Sequence, residues 1–291
     1  MKTINPILLP CLLALSSLAA CADGDNNDAR TRASQPALAP DAAQVRDATE
    51  TLPSISLDEA SFERLQAERP EYVAGLLTMQ PARGRDRNVR FSQEVWSEPE
   101  AAVVLAHRLR DLNTPTEHRA AIASRLRGVQ APWHDMALRM LGTESEPLVR
   151  AGLMSSLSRA PEAFLGAAVL AGIQDADPFV RDWATVGAGR LIANHPDAAA
   201  REEVLQAMQA RVTADGDEHV RAGALRALGM SRDADVAASI VAGLDDRSPM
   251  VRLAAVRALH RATPGEARAI VTAAGLSSDP DPKVARAVAR L

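Results

Sequence analysis

Cysteine is nearly absent. The 291 residues hold two, Cys11 and Cys21, both close to the N-terminus. Beyond Cys21 neither an internal disulfide nor a thiolate metal site can form, so an oxidising compartment is allowed but not exploited. Aromatic residues are scarce as well, at 3% with a single tyrosine, although 47% of the chain is hydrophobic. Alanine and leucine carry most of the apolar surface. Sheets favour β-branched and aromatic side chains, so this balance points to closely packed helices. Lysine occurs twice, as Lys2 and Lys283, and arginine supplies the remaining positive charge. The net charge is −4. A duplex-binding protein shows a basic excess or a basic face, so nucleic acid is not an expected partner.

Signatures of chemistry are missing too. None of the six histidines, His107, His118, His134, His195, His219 and His260, is followed by glutamate, so there is no His-Glu-x-x-His zinc motif. Neither a Gly-x-Ser-x-Gly elbow nor a phosphate loop occurs. The sequence therefore predicts no catalytic residue, no metal site and no cofactor.

What is present begins at the N-terminus. MKTINPILLPCLLALSSLAAC carries one positive charge at Lys2, an apolar stretch from Ile7 to Leu18 and then small residues. That is the layout of a secretory signal. The stretch is short and interrupted by Pro6 and Pro10, which makes it a poor membrane span. Its end, Leu18-Ala19-Ala20-Cys21, resembles the lipobox of bacterial lipoproteins. The resemblance implies removal of residues 1–20 and attachment of a diacylglyceryl group to the Cys21 thiol. An ordinary cleaved signal with an incidental cysteine is the competing reading. Cleavage would remove Lys2 and no acid, leaving the remainder one unit more negative. Two or more acyl chains anchor stably, at about 0.8 kcal/mol per buried CH₂. In that family an aspartate directly after the lipidated cysteine tends to retain the protein in the inner membrane. Here Ala22 follows and the aspartate comes next, at Asp23, so the resemblance implies an outer-membrane anchor facing the periplasm.

Residues 21–55 are rich in Ala, Asp, Asn and Pro and poor in large apolar groups. Such a stretch cannot bury enough surface to offset its ordering entropy, so it is expected to be a flexible tether. About 35 residues would span roughly 30–35 Å. Residues 56–97 form a small leading segment. Ser56 and Glu59 have capping-box spacing, which predicts a helix with Leu57, Phe62 and Leu65 on one face. Pro70 ends that helix or starts the next, which carries Tyr72, Val73, Leu76 and Leu77. Arg83, Arg85, Arg87 and Arg90 then punctuate PARGRDRNVR, either a solvated loop or a basic patch for an acidic partner or lipid headgroups. RFSQEVW reads as a short strand or an extended connection.

From residue 98 to 291 a pattern recurs, and the period decides the fold. EPLVRAGLMSSL, DPFVRDWATVGA, DEHVRAGALRAL, SPMVRLAAVRAL and DPKVARAVARL align on Val149, Val180, Val220, Val251 and Val284. The spacings are 31, 40, 31 and 33, and a weaker copy places His118 another 31 residues upstream. Asp177, Asp217, Ser248 and Asp281 stand at N-cap distance before the valines, and Pro178, Pro249 and Pro282 suit the first helical position. Second helical segments lie between these copies, among them PEAFLGAAVLAGI, REEVLQAMQARV and VAASIVAGL. Two helices per repeat make an all-α, right-handed superhelical solenoid of antiparallel helix pairs, with about five to six repeats. The Asp-x-x-Pro-x-Val-Arg-x-x-Ala pattern resembles bacterial HEAT repeats, including the type first associated with phycobilisome lyases. The excess in the 40-residue interval lies around residues 192–200, as an inserted loop or as a longer helix.

Two columns run through the copies. Arginine follows the valine position at Arg119, Arg150, Arg181, Arg221 and Arg252, and an acid precedes it at Glu144, Asp175, Asp215, Asp246 and Asp279. HEAT families stack similar columns as ladders between neighbours, and two-pronged guanidinium–carboxylate pairing is the physical reason. The alternative is an arginine-lined surface that grips an anionic ligand. Ala285 breaks the column in the last copy, as suits a terminal repeat. Trp183 falls in a small-residue column and is expected to pack between repeats. Trp133, at a helix start, is the best tryptophan for an exposed contact, since tryptophan is enriched in interface hot spots.

The reading is a membrane-anchored, non-enzymatic scaffold that holds an unidentified protein or peptide along the solenoid. The alternative is a lyase-like or ligand-modifying enzyme with a pocket in the concave face.

Overall fold

Helix starts are written locally, by side chains that accept backbone N–H groups left over in the first turn. Asp177 accepts from the Phe179 amide at 2.9 Å, Asp217 from those of His219 and Val220 at 2.8 and 3.3 Å, and Asp281 from those of Lys283 and Val284 at 2.7 and 3.4 Å. Pro147, Pro178, Pro249 and Pro282 stand in the first helical turn, where a missing N–H costs nothing. Ser248 departs from the pattern. It holds the N-cap position, yet its hydroxyl makes no cap bond and is buried without a partner. Aspartate fills this place in three other copies. Ser248→Asp is therefore expected to raise stability by about 0.5–1 kcal/mol, seen as a higher unfolding midpoint in urea. An unchanged midpoint would count against a vacant cap.

The computed structural model describes residues 56–79, 99–126 and 131–291. Contacts divide the chain into Met1–Ser54 and Ile55–Leu291, and everything described belongs to the second unit. The expected signal peptide and tether, the arginines of 83–90, Trp96 and the RFSQEVW segment lie outside the described residues. Among the described residues there are fourteen α-helices and no strand. They are α1 (Glu59–Glu68), α2 (Pro70–Thr78), α3 (Pro99–Arg110), α4 (Thr116–Arg125), α5 (Ala131–Thr143), α6 (Pro147–Leu157) and α7 (Glu162–Gly172). The series continues with α8 (Pro178–Asn194), α9 (Arg201–Ala214), α10 (Glu218–Leu228), α11 (Ala237–Val241), α12 (Pro249–Ala262), α13 (Ala267–Ala273) and α14 (Pro282–Ala289).

The fold is a solenoid of helix pairs in two layers. The helices that carry the recurring motif, α4, α6, α8, α10, α12 and α14, each pack on the next. The helices α3, α5, α7, α9, α11 and α13 make the other layer. Val149, Val180, Val220, Val251 and Val284 are fully buried. With Leu153, Leu157, Leu165, Leu191, Met208 and Leu225 they form a core that runs the length of the array. Each such side chain is worth about 1.5–3 kcal/mol of transfer free energy. Small residues let the motif helices approach closely. A Cβ on Gly223 would fall 2.1 Å from Thr185 Oγ1, and one on Gly152 would fall 2.6 Å from the Ala120 carbonyl oxygen.

The 40-residue interval resolves into helix on both sides of its turn. α8 has 17 residues and α9 has 14, whereas α6 and α10 have 11 each. The segment VAASIVAGL is less regular than expected. Only five residues of α11 are α-helical, flanked by 3₁₀ turns at Ala234–Val236 and Ala242–Asp245.

The leading segment caps the array at its N-terminal end. Asp58, not Ser56, caps α1, accepting from the Ser61 amide at 2.8 Å. Ser56 donates its hydroxyl to the same carboxylate at 2.6 Å, so the expected box with Glu59 does not form. Phe62 lies flat on His107 of α3 with ring centroids 3.6 Å apart, and a Glu59 carboxylate oxygen sits 3.0 Å from His107 Nδ1. Buried Arg108 donates to the carbonyls of Leu76 and Met79, which satisfies the C-terminal end of α2. End repeats need such covering, because an unstacked repeat exposes its core side.

Candidate binding face of the solenoid

The acid and arginine columns meet between repeats. Arg150 donates from Nε and Nη2 to Asp175 at 2.7 and 2.8 Å. Arg181 holds Asp215 at 2.7 and 2.8 Å, Arg221 holds Asp246 at 2.7 and 2.9 Å, and Arg252 holds Asp279 at 2.7 and 2.9 Å. Arg119 makes a two-pronged contact with Glu144. The remaining nitrogen ties each repeat to itself. Nη1 of Arg150, Arg181, Arg221 and Arg252 donates to the carbonyl of the preceding acid, Glu144, Asp175, Asp215 and Asp246, at 2.9–3.0 Å. Each acid also accepts the backbone N–H two residues on, at 2.8–3.0 Å. These four arginines thus bridge their own turn and that of the next repeat. The pairs are largely buried, with the Asp215 side chain fully covered.

These surroundings shift the acids. Burial alone pushes Asp175, Asp215 and Asp246 upward, but the arginine hydrogen bonds, the amide of the residue two on and the arginine charge together hold them below the usual range. At Asp279 the Arg252 hydrogen bond leads and burial opposes it. Each carboxylate contributes stability that is complete above its unfolded pKa of about 3.9 and is lost as the pH falls through the lower folded value. Asp279→Asn removes one such contribution. Its stability deficit relative to the wild type is expected to shrink as the pH is lowered from about 5 to about 2. A deficit that stays constant in urea titrations across that range would contradict the assignment.

Trp133 is a correction. The sequence offers it as an exposed contact, but it is fully buried, and its Nε1–H donates to buried Ser156 of α6 at 2.8 Å. Its ring packs between α5 and α6, its neighbour His134 is buried as well, and Asp135 is exposed. Trp183 is also buried. Arg83, Arg85, Arg87 and Cys21 lie outside the described residues.

The histidines do not converge. His107 serves the N-terminal cap, His195 lies 3.9 Å from Glu162, and His219 and His260 are exposed. His134 is buried against Phe164, and burial pushes its pKa down. Among the described residues no group of three or more His, Cys, Asp or Glu is placed to hold a metal ion. No helix among them is long and apolar enough to cross a membrane.

One feature of the motif layer lies beside the ladder and outside the consensus columns. Positions two, six and ten residues after the core valine run along the motif helix and into the turn that follows it. From Val149 onward they carry Arg159, Arg190, Arg226, Arg257, Arg261, Arg286 and Arg290, all exposed, and a single acid, Asp182. Arg226 reaches back across α10 to Asp182 on α8 at 3.8 Å. The alignment that exposed the ladder already contains these positions. They escape a consensus reading because they vary from copy to copy.

Comparison with known proteins bears on the repeats. A family model described as HEAT repeats matches residues 166–260 and again 203–291. This part of the chain is built of HEAT-like repeats. No curated protein matches the chain. Several solved structures resemble it, all at low identity. An engineered protein aligns over 80% of this chain and 69% of its own, at 19% identity and a TM-score of 0.46. A designed armadillo repeat protein aligns over 64% of this chain and 95% of its own, at 16% identity and a TM-score of 0.43. A structure of Kap95p with RanGDP aligns over 75% of this chain and 27% of the matched one, at 20% identity and a TM-score of 0.41.

Proposed function

We propose that this chain is a lipid-anchored scaffold that binds a protein or peptide along its solenoid and performs no chemistry of its own. The observation that carries the reading is the unbroken layer of six motif helices, α4 to α14, each packed on the next and joined turn to turn by arginine–acid pairs. Such a layer repeats its side chains at a fixed interval and holds them without rearrangement. Solenoids use surfaces of this kind to bind extended partners. The match of residues 166–291 to HEAT repeats supports a binding role. The LAAC sequence ending at Cys21, with the polar stretch after it, supports an anchor that places this surface near a membrane, facing the periplasm.

In-cell crosslinking of the wild type and Cys21→Ser, followed by identification of captured proteins, tests the reading. A defined protein is expected with the wild type and less of it with the variant. If a small molecule copurifies and is turned over while no protein is captured, a lyase-like enzyme replaces the scaffold. The anchor has its own test. Incorporation of radiolabelled palmitate should be abolished by Cys21→Ser, and unchanged incorporation would remove the lipid from the account.

A further inference from the structure

The chain is acidic overall, yet the charged residues along its motif layer beside the ladder are almost all arginine. Of the fourteen residues two, six and ten positions after the five core valines, seven are arginine, one is aspartate and six are uncharged. The asymmetry is sharpest at its N-terminal end. Arg159 and Arg190 lie on adjacent repeats, both exposed, and partial burial first and the nearby Arg159 charge second push the Arg190 guanidinium down. Like charges side by side on a stable surface cost energy unless an anion joins them. Further along, Arg226 lies 3.8 Å from Asp182, and about half of its side chain is open to solvent. Arg257 and Arg261, which have contacts of their own, continue the row on α12.

We infer that this row is the docking surface for an acidic peptide segment of a protein partner, bound in extended form across the motif helices. The side-chain type argues for carboxylates. Every cation in the row is arginine, whose planar fork pairs two-pronged with a carboxylate, as the ladder of the same molecule demonstrates five times. Spacing argues for an extended chain. Packed helices lie about 8–10 Å apart, and a polyproline-type chain returns to the same face every three residues, about 9 Å along. A peptide with an acid at every third position would therefore meet one repeat per acid. The inference rests on the scaffold reading and names the chemistry of its partner.

The test uses the full chain purified in non-ionic detergent and a fluorescently labelled peptide of repeated Glu-Pro-Pro triplets, read by anisotropy. Binding is expected to weaken at least tenfold in Arg159→Glu/Arg190→Glu and to fall with added salt. The same change at Arg268 of α13, in the other layer, should leave it unaltered. Arg159→Lys/Arg190→Lys keeps the charge and loses the fork, so it should fall between the two. Circular dichroism and melting of each variant separate lost binding from lost folding. Equal binding by the wild type and the double glutamate variant overturns the inference. So does binding to vesicles of anionic phospholipid with none to the peptide, which would make the face a lipid-binding one. If the partner captured in cells is retained by the double glutamate variant, the scaffold reading stands and this surface is wrong.

Discussion

Asp215→Ala is expected to destabilise the protein by about 3–5 kcal/mol, the cost of breaking a buried ion pair from one side. The Asp215 side chain has no exposure to solvent and accepts Arg181 at 2.7 and 2.8 Å. Arg211 lies 3.6 Å away, and the Asp217 amide donates to it at 3.0 Å. Alanine removes all of these acceptors at once. Arg181 keeps its bonds to the carbonyls of Asp175 and Ala176, but Nε and Nη2 are left facing an apolar gap. Replacing both partners by apolar residues, Arg181→Met with Asp215→Leu, should recover part of the loss, because the Arg181 charge is then no longer stranded, while Arg211 and the Asp217 amide still lose their acceptor. The half-exposed pair Arg69–Glu100 is the internal control, and Arg69→Ala should cost less than about 1 kcal/mol through this pair. Urea unfolding with an unchanged m-value gives the comparison. A loss below about 1 kcal/mol for Asp215→Ala would make the ladder a device for register alone.

The second large effect concerns Trp133. Trp133→Ala should cost about 3–5 kcal/mol through the cavity it leaves. It also strands the buried hydroxyl of Ser156, which now accepts from Nε1 at 2.8 Å. Trp133→Phe keeps most of the volume and loses the hydrogen bond, for about 1 kcal/mol. The contrast matters because the sequence places this tryptophan among the candidates for an exposed contact. A surface anchor would lose partner binding and leave the melting temperature untouched. The structure requires the reverse order, with a large fall in melting temperature measured before any partner is added.

Both predictions touch the limits of what the repeat pattern reveals. The ladder was legible because it is periodic. The arginine after each valine and the acid before it recur at a fixed offset, and only neighbouring repeats bring the two columns within reach. Trp133 was not legible in the same way. It occurs once, in a stretch with His134 and Asp135, and its hydrogen-bond acceptor lies 23 residues away on another helix. The cap of α1 shows a smaller version of this. Ser56 and Glu59 have the right spacing, but Asp58 stands closer to the helix with a stronger acceptor and takes the position. The leading segment likewise has no motif that announces its role. Phe62 on His107 and Arg108 on the carbonyls of Leu76 and Met79 become visible only when the helices are set together.

By itself the sequence determined the helical class, the repeat period, the core valines and the columns that join one repeat to the next. Those are properties of short segments repeated along the chain, and local capping, proline placement and helical spacing are enough to specify them. Tertiary structure alone decided what each non-repeating side chain does. It buried Trp133, set α1 and α2 over the first repeat, and brought Arg226 of α10 within 3.8 Å of Asp182 on α8. The physical reason is that burial and charge surroundings are set by neighbours distant in sequence. Those neighbours are fixed by how closely the helices pack, which here depends on residues as small as Gly152 and Gly223.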